Sequence, residues 1–141
     1  MRYAYPVDLE TDEDGRVFAR VADLIGCVTD GADRAEALTE AADALEAALG
    51  AAMTGKEDIP APSPARGRPV VVPGAVMSAK VALYQAMRAA GLSNTDLAAR
   101  MGLAETEVRR MLDPDRVTKI GRLEEALAVL GQRVVVAVEA A

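Results

Sequence analysis

Leu92–Leu112, LSNTDLAARMGLAETEVRRML, is the stretch from which the rest of the chain is read. Ser93, with Asp96 three residues on, opens a short helix. Leu97 and Ala98 fall on its inner face, and Met101 closes it. Gly102 takes the positive φ of a tight turn, and Leu103 re-enters the core. Val108, Met111 and Leu112 then repeat at helical spacing in a second helix. A small residue at Ala98 lets the two helices cross closely, and Val108 fills the angle between them. This is the pattern of a helix-turn-helix. An ordinary αα-hairpin shares the inner stripe, but Ala98, Gly102 and Val108 falling together favour the helix-turn-helix. Its second helix shows Ala104, Glu105, Thr106, Arg109 and Arg110 outward, where a major groove would be. Ala104 stands at the helix start, where Ser or Thr would cap better.

On the C-terminal side, Asp113-Pro114 ends the second helix, and Thr118 is expected to cap a last one through Leu130. Ile120, Leu123, Leu127 and Leu130 form that helix's core stripe, and Gly131 stops it. Arg133–Glu139 is too valine-rich for a free tail. On the N-terminal side, a helix runs from Ala75–Ser78 to Ala90, preceded by a three-valine strand, Val70–Val72. The tail valines are expected to pair with Val70–Val72, within one chain or between two. An unpaired valine strand aggregates, which favours the intermolecular sheet and a homodimer or higher homo-oligomer.

Residues 54–69, TGKEDIPAPSPARGRP, hold four prolines and two glycines. They read as an extended linker. Before it the pattern changes. Arg2–Leu9 alternates, with Tyr3, Tyr5, Val7 and Leu9 on one face, and Pro6 marks an edge position or a bulge. Thr11–Gly15 is a turn, Arg16–Val21 the return strand, and Ile25–Thr29 a third strand. Asp33 and Glu36 form a capping box for a helix running to about Met53 and ending at Gly55. Its stripe is Ala37, Leu38, Ala41, Leu45, Ala48 and Leu49. The fold class is α+β: a three-stranded antiparallel sheet plus helix in residues 1–55, a proline-rich linker in 56–69, and in 70–141 an all-α helix-turn-helix domain with flanking short strands.

Composition limits the chemistry. The chain has no histidine and a single cysteine, Cys27, so a Cys/His zinc site and an internal disulfide are excluded. Asp8, Glu10, Asp12, Glu13 and Asp14 suggest a metal-dependent nuclease cluster only on paper: Asp12–Asp14 sit in a turn, and the helix supplies no matching carboxylate. No catalytic residue, metal or cofactor is expected. No secretory signal opens the chain and no apolar run approaches the ~18 residues of a membrane span, so a soluble, cytoplasmic protein without a membrane partner is expected.

The net charge of −6 is unevenly spread. Residues 1–58 hold 14 acidic and 5 basic side chains, and residues 78–141 hold 8 and 9. The first half would repel nucleic acid and attract a basic partner. In the second, Arg100, Arg109, Arg110, Arg116, Lys119 and Arg122 bunch around the helix-turn-helix. Lys119 joins Ala104, Glu105, Thr106, Arg109 and Arg110 as a DNA-binding candidate.

These pieces, in this order, resemble the HicB family of antitoxins in the form with a helix-turn-helix domain. The resemblance rests on Tyr5-Pro6-Val7, Asp12–Phe18, Asp23–Gly31 and Ala35–Leu38 in the first half. In the second it rests on Ala79–Met87, the helix-turn-helix, and Val108–Pro114. It departs at Ala22 and Ile25, where the family usually has prolines. It implies that the first half is a partial RNase H-like layer that binds and blocks HicA, a small basic messenger-RNA-cleaving toxin. It also implies that the second half binds operator double-stranded DNA and represses the operon. The family motif places the toxin contact at Asp23, Leu24, Ile25, Gly26 and Cys27. A stand-alone transcription regulator with a ligand- or protein-sensing first half is the alternative.

Overall fold

The structure is a computed structural model and describes residues 1–140. It contains strands β1 (Tyr5–Thr11), β2 (Val17–Val21), β3 (Val28–Gly31) and β4 (Val70–Val71), and helices α1 (Arg34–Thr54), α2 (Ala75–Ala90), α3 (Asn94–Met101), α4 (Glu105–Leu112) and α5 (Ile120–Val129). It is α+β, with two compact units, Met1–Gly74 and Ala75–Ala141.

In the first unit a four-stranded antiparallel sheet has the order β3-β2-β1-β4. Alternation assigns the faces: Val17, Ala19 and Val21 of β2 are buried, while Phe18 and Arg20 are exposed. The buried row packs on α1 through Ala37, Ala41, Leu45 and Leu49. Asp33 Oδ1 caps α1 by accepting from Glu36 N at 2.8 Å. The strand-to-helix approach is closest at Gly31, where a Cβ would lie 2.4 Å from Ala37 N. Only glycine fits there.

The sheet corrects three expectations. It has four strands, not three: Val70–Val71 pairs with Tyr5 and Pro6 of the same chain, and the C-terminal valines do not pair with it. Residues 132–140 contain no strand, so short strands do not flank the helices of the second unit. The cause is the course of the proline segment, which returns along the sheet. Val7 N donates to Pro69 O at 2.9 Å and Tyr5 Oη to Pro60 O at 2.8 Å. Strand β1 is therefore central, and Pro6 is tolerated because the β2 ladder begins only at Val7. The third strand is Val28–Gly31 rather than Ile25–Thr29. Two successive turns, Leu24 N to Val21 O at 3.1 Å and Cys27 N to Leu24 O at 3.2 Å, occupy residues 21–27 and delay it.

The second unit is helical. Leu83, Leu97, Val108, Leu123 and Ala126 are fully buried at its centre, with Ala98, Met111 and Leu127 around them. The N-cap of α5 is Lys119, not Thr118, and makes no side-chain capping bond. Thr118 Oγ1 donates instead to Met111 O at 3.5 Å. Ile120 stays outside the core, so the buried stripe of α5 is Leu123, Ala126 and Leu127.

Candidate functional site

Helices α3 and α4 are eight residues each and share one short turn. Ser93 and Asp96 form a reciprocal capping box: Ser93 Oγ accepts from Asp96 N at 3.1 Å, and Asp96 Oδ2 from Ser93 N at 3.0 Å. The Ser93 backbone bond, with the side-chain bond second, holds the Asp96 carboxyl below the usual carboxylate range. Gly102 ends α3 in the left-handed region, at φ 68° and ψ 32°. Leu103 N then donates to Ala98 O at 2.9 Å. This closes a Schellman-type stop and aims α4 away from α3.

Val108 and Met111 turn into the core. Thr106, Arg109 and Arg110 are exposed and, at i, i+3 and i+4, share the opposite face. Ala104 is the exposed N-cap and makes no side-chain capping bond. Glu105 is half-buried, with Oε2 3.5 Å from Arg109 Nη1. Beside this face, α4, the loop after it and the start of α5 enclose an open concavity of about 490 Å3. Arg110, Arg116, Lys119 and Arg122 line it together with Glu107. Arg122 is shared between Glu107 at 3.4 Å and Glu125 at 3.2 Å, and Arg116 lies 3.4 Å from Asp113. Arg110 and Lys119 form no ion pair among the described residues. Such a face offers charged donors, a hydroxyl and carboxylates to a polar surface.

In the first unit, residues Asp23–Cys27 form the double turn between β2 and β3. They do not act alike. Leu24 and Cys27 are buried, and burial pushes the Cys27 thiol up from its ordinary value. Asp23 Oδ2 accepts from Ser63 N at 2.9 Å and Ser63 Oγ at 3.1 Å, tying the turn to the proline segment. Ile25 projects fully, with 104% relative exposure, beside the exposed Gly26.

The sequence of this unit has a known counterpart. Residues 4–82 match the family described as HicB_like antitoxin of bacterial toxin-antitoxin system. Antitoxin HicB 1 of Photorhabdus laumondii subsp. laumondii is 36% identical over 135 residues, covering 96% of this chain and 86% of that protein. Antitoxin HicB of Pseudomonas fluorescens is 33% identical over 132 residues, covering 92% and 90%. Antitoxin HicB of Escherichia coli K12 is 32% identical over 130 residues, covering 91% and 94%. The chain belongs to the HicB antitoxin family.

The family match spans all four strands and α1 and continues into α2. The outer sheet face of this HicB-family chain exposes Phe18, which closes the Asp12–Phe18 motif, and Val28. Phe18, the only phenylalanine, is 42% exposed between Glu10 and Asp30, its partners across the sheet. Val28 is exposed in the next row, opposite Arg20, whose other neighbour is Asp8. Strict alternation along Val17–Val21 was the signal for Phe18. Two of the carboxylates here are engaged: Arg16 Nε lies 2.7 Å from Asp30, and Arg68 Nη1 and Arg20 Nη2 lie 3.1 and 3.6 Å from Asp8. Among the described residues no group of three or more His, Cys, Asp or Glu side chains is arranged to hold a metal ion, and no helix is long and apolar enough to cross a membrane.

Proposed function

We propose that this chain is the antitoxin of a HicA/HicB-type toxin–antitoxin system. The single observation that carries this is family membership at 32–36% identity over nine-tenths of the chain or more, with relatives named Antitoxin HicB. The charge division supports it: Met1–Gly74 holds 14 acidic against 7 basic side chains. That unit suits a small basic toxin, which it blocks by occlusion, without chemistry of its own. Of the family-motif residues, Ile25 and Gly26 make the direct contact, and Asp23, Leu24 and Cys27 hold the turn that presents them. Phe18 and its acidic neighbours extend the same kind of surface.

The α3–turn–α4 element acts as the helix-turn-helix that binds operator DNA and represses the operon. Thr106, Arg109 and Arg110 face the major groove, Ala104 and Glu105 stand at the entry, and Lys119 reaches the backbone. A bidentate Arg–guanine contact discriminates by about 1–3 kcal/mol. Two copies act together in the cytoplasm, joined through the exposed C-terminal valines.

The test uses the full chain, a duplex of the DNA directly upstream of its own coding sequence, and, as toxin, any small basic protein encoded beside it. Arg109→Ala and Arg110→Ala lower the affinity for the duplex about 5- to 150-fold, the equivalent of that energy, while rescue of growth from the toxin survives. If both variants bind the duplex like the parent, α4 is not the reading helix. If the parent binds the duplex and rescues nothing, the chain is a stand-alone regulator.

A further inference from the structure

Lys80 is the one charged side chain buried among the described residues, at 1% exposure on α2 between buried Ala79 and Val81. Burying an ammonium costs stability unless it is paired and hydrogen-bonded, so an apolar side chain would serve the packing alone better. Its contacts give the reason for the charge. Lys80 Nζ donates to Asp113 O at 2.5 Å and to Arg116 O at 2.6 Å.

Asp113 is the C-cap of α4, where backbone carbonyls carry the negative end of the helix dipole. Arg116 lies three residues on, in a turn closed by Arg116 N to Asp113 O at 3.2 Å and Asp115 N to Asp113 Oδ1 at 2.9 Å. One ammonium therefore pins both ends of the Asp113–Arg116 turn from inside the core. Desolvation pulls the Lys80 pKa down, and Asp113 and Asp115 oppose that pull. The turn leads into the loop that brings Arg116 and Lys119 to the basic concavity beside Arg110. Five of its eight lining residues are charged, more than the few polar groups that usually line a small-molecule pocket.

We propose that Lys80 is a positioning residue: it fixes the loop after α4 so that Arg116 and Lys119 form a rim seating backbone phosphates of duplex DNA beside the reading helix. This rests on the operator-binding reading above. Phosphate contacts carry no sequence information but set register and orientation. The rim therefore supplies salt-dependent affinity, and Arg109 and Arg110 supply the choice of bases.

The experiment measures affinity between 50 and 200 mM salt for the full chain, on the upstream duplex and on a scrambled duplex of the same length. The variants are Lys80→Met, the loop double Arg116→Ala/Lys119→Ala, and all three changes together. Each phosphate contact contributes about 0.9 to the slope of log affinity against log salt. The loop double is expected to lower the slope by about one to two on both duplexes, which is about 8- to 60-fold in affinity near 0.1 M salt. Lys80→Met lowers it similarly, and the triple variant lowers it no further, because Lys80 acts through the loop. A merely structural lysine would not reproduce that non-additivity.

The loop double changes only exposed side chains, so it tests the rim even if Lys80→Met fails to fold. An unchanged slope for the double, with the parent binding, overturns the rim alone. Additive losses, an unaffected Lys80→Met, or a Lys80→Met chain that no longer folds overturns the positioning role. A parent that binds neither duplex overturns the operator reading and the rim together.

Discussion

One carboxylate oxygen, Asp23 Oδ2, accepts both the backbone N–H of Ser63 at 2.9 Å and its hydroxyl at 3.1 Å, across 40 residues of sequence. The bond pair ties the proline segment to the turn that carries Ile25. Asp23→Ala removes a charged acceptor and strands a half-buried hydroxyl and amide. It is expected to cost about 1.5–3 kcal/mol in urea unfolding, and to raise amide exchange at Ser63. Ser63→Ala keeps the backbone bond and costs about half as much. Equal, negligible effects would show that the segment is held elsewhere.

Gly31 and Gly121 predict opposite outcomes for the same substitution. A Cβ at Gly31 would meet backbone atoms of Glu36 and Ala37 at 2.4–2.9 Å, which side-chain movement cannot relieve. Gly31→Ala is expected to destabilise by about 3 kcal/mol or more. Gly121 lies in α5 with nothing within 4 Å of its Cβ position. Gly121→Ala is expected to stabilise by about 0.5–1 kcal/mol. Chemical denaturation of both variants checks the pair.

The capping box at Ser93 and Asp96 makes the stability of the α3 region depend on acid. The Asp96 carboxyl is held below its ordinary value, so the folded chain binds that proton less tightly than the unfolded one. Its contribution is complete above an unfolded pKa of about 3.9 and is lost as pH falls through the lower folded value. Melting curves from pH 6 to pH 2.5 should show Asp96→Asn less stable than the parent near neutrality, with the two converging in acid. A constant gap across that range would contradict the capping account.

The tail supplies a prediction about assembly. Val135, Val136 and Val138 are 75%, 82% and 94% exposed. A second copy is the simplest cover for such a β-prone run. Light scattering at micromolar concentration should give a dimer for the parent and a monomer for Val136→Asp. A monomeric parent would leave the tail without that role.

Local chemistry was legible in the sequence wherever a residue's reason lay within a few positions. Asp33, the Ser93–Asp96 pair and Gly102 all act on their own helix ends, and α1, α3 and α4 fall within about a residue of where those signals put them. At α1 only half of the expected capping box forms, Asp33 accepting from Glu36 N without the return bond seen at Ser93–Asp96. The exposed face of α4 follows from a period of 3.6. What was not legible was long-range. Nothing local tells that Val71 pairs with Tyr5, or that Ser63 meets Asp23. Nor does anything local tell that Lys80 is held by the carbonyls of Asp113 and Arg116, more than thirty residues on. Ile25 looks like a strand residue because its neighbours are apolar, and the double turn places it at a tip instead.

The most direct test of the antitoxin account is to express the tagged chain from its own operon and identify its stoichiometric partner by mass spectrometry after purification at moderate salt. The account predicts a small, basic protein that arrests growth when expressed alone and is silenced by this chain. Recovery of the upstream DNA with no such protein would contradict it, and would leave residues 1–58 as the sensing half of a repressor.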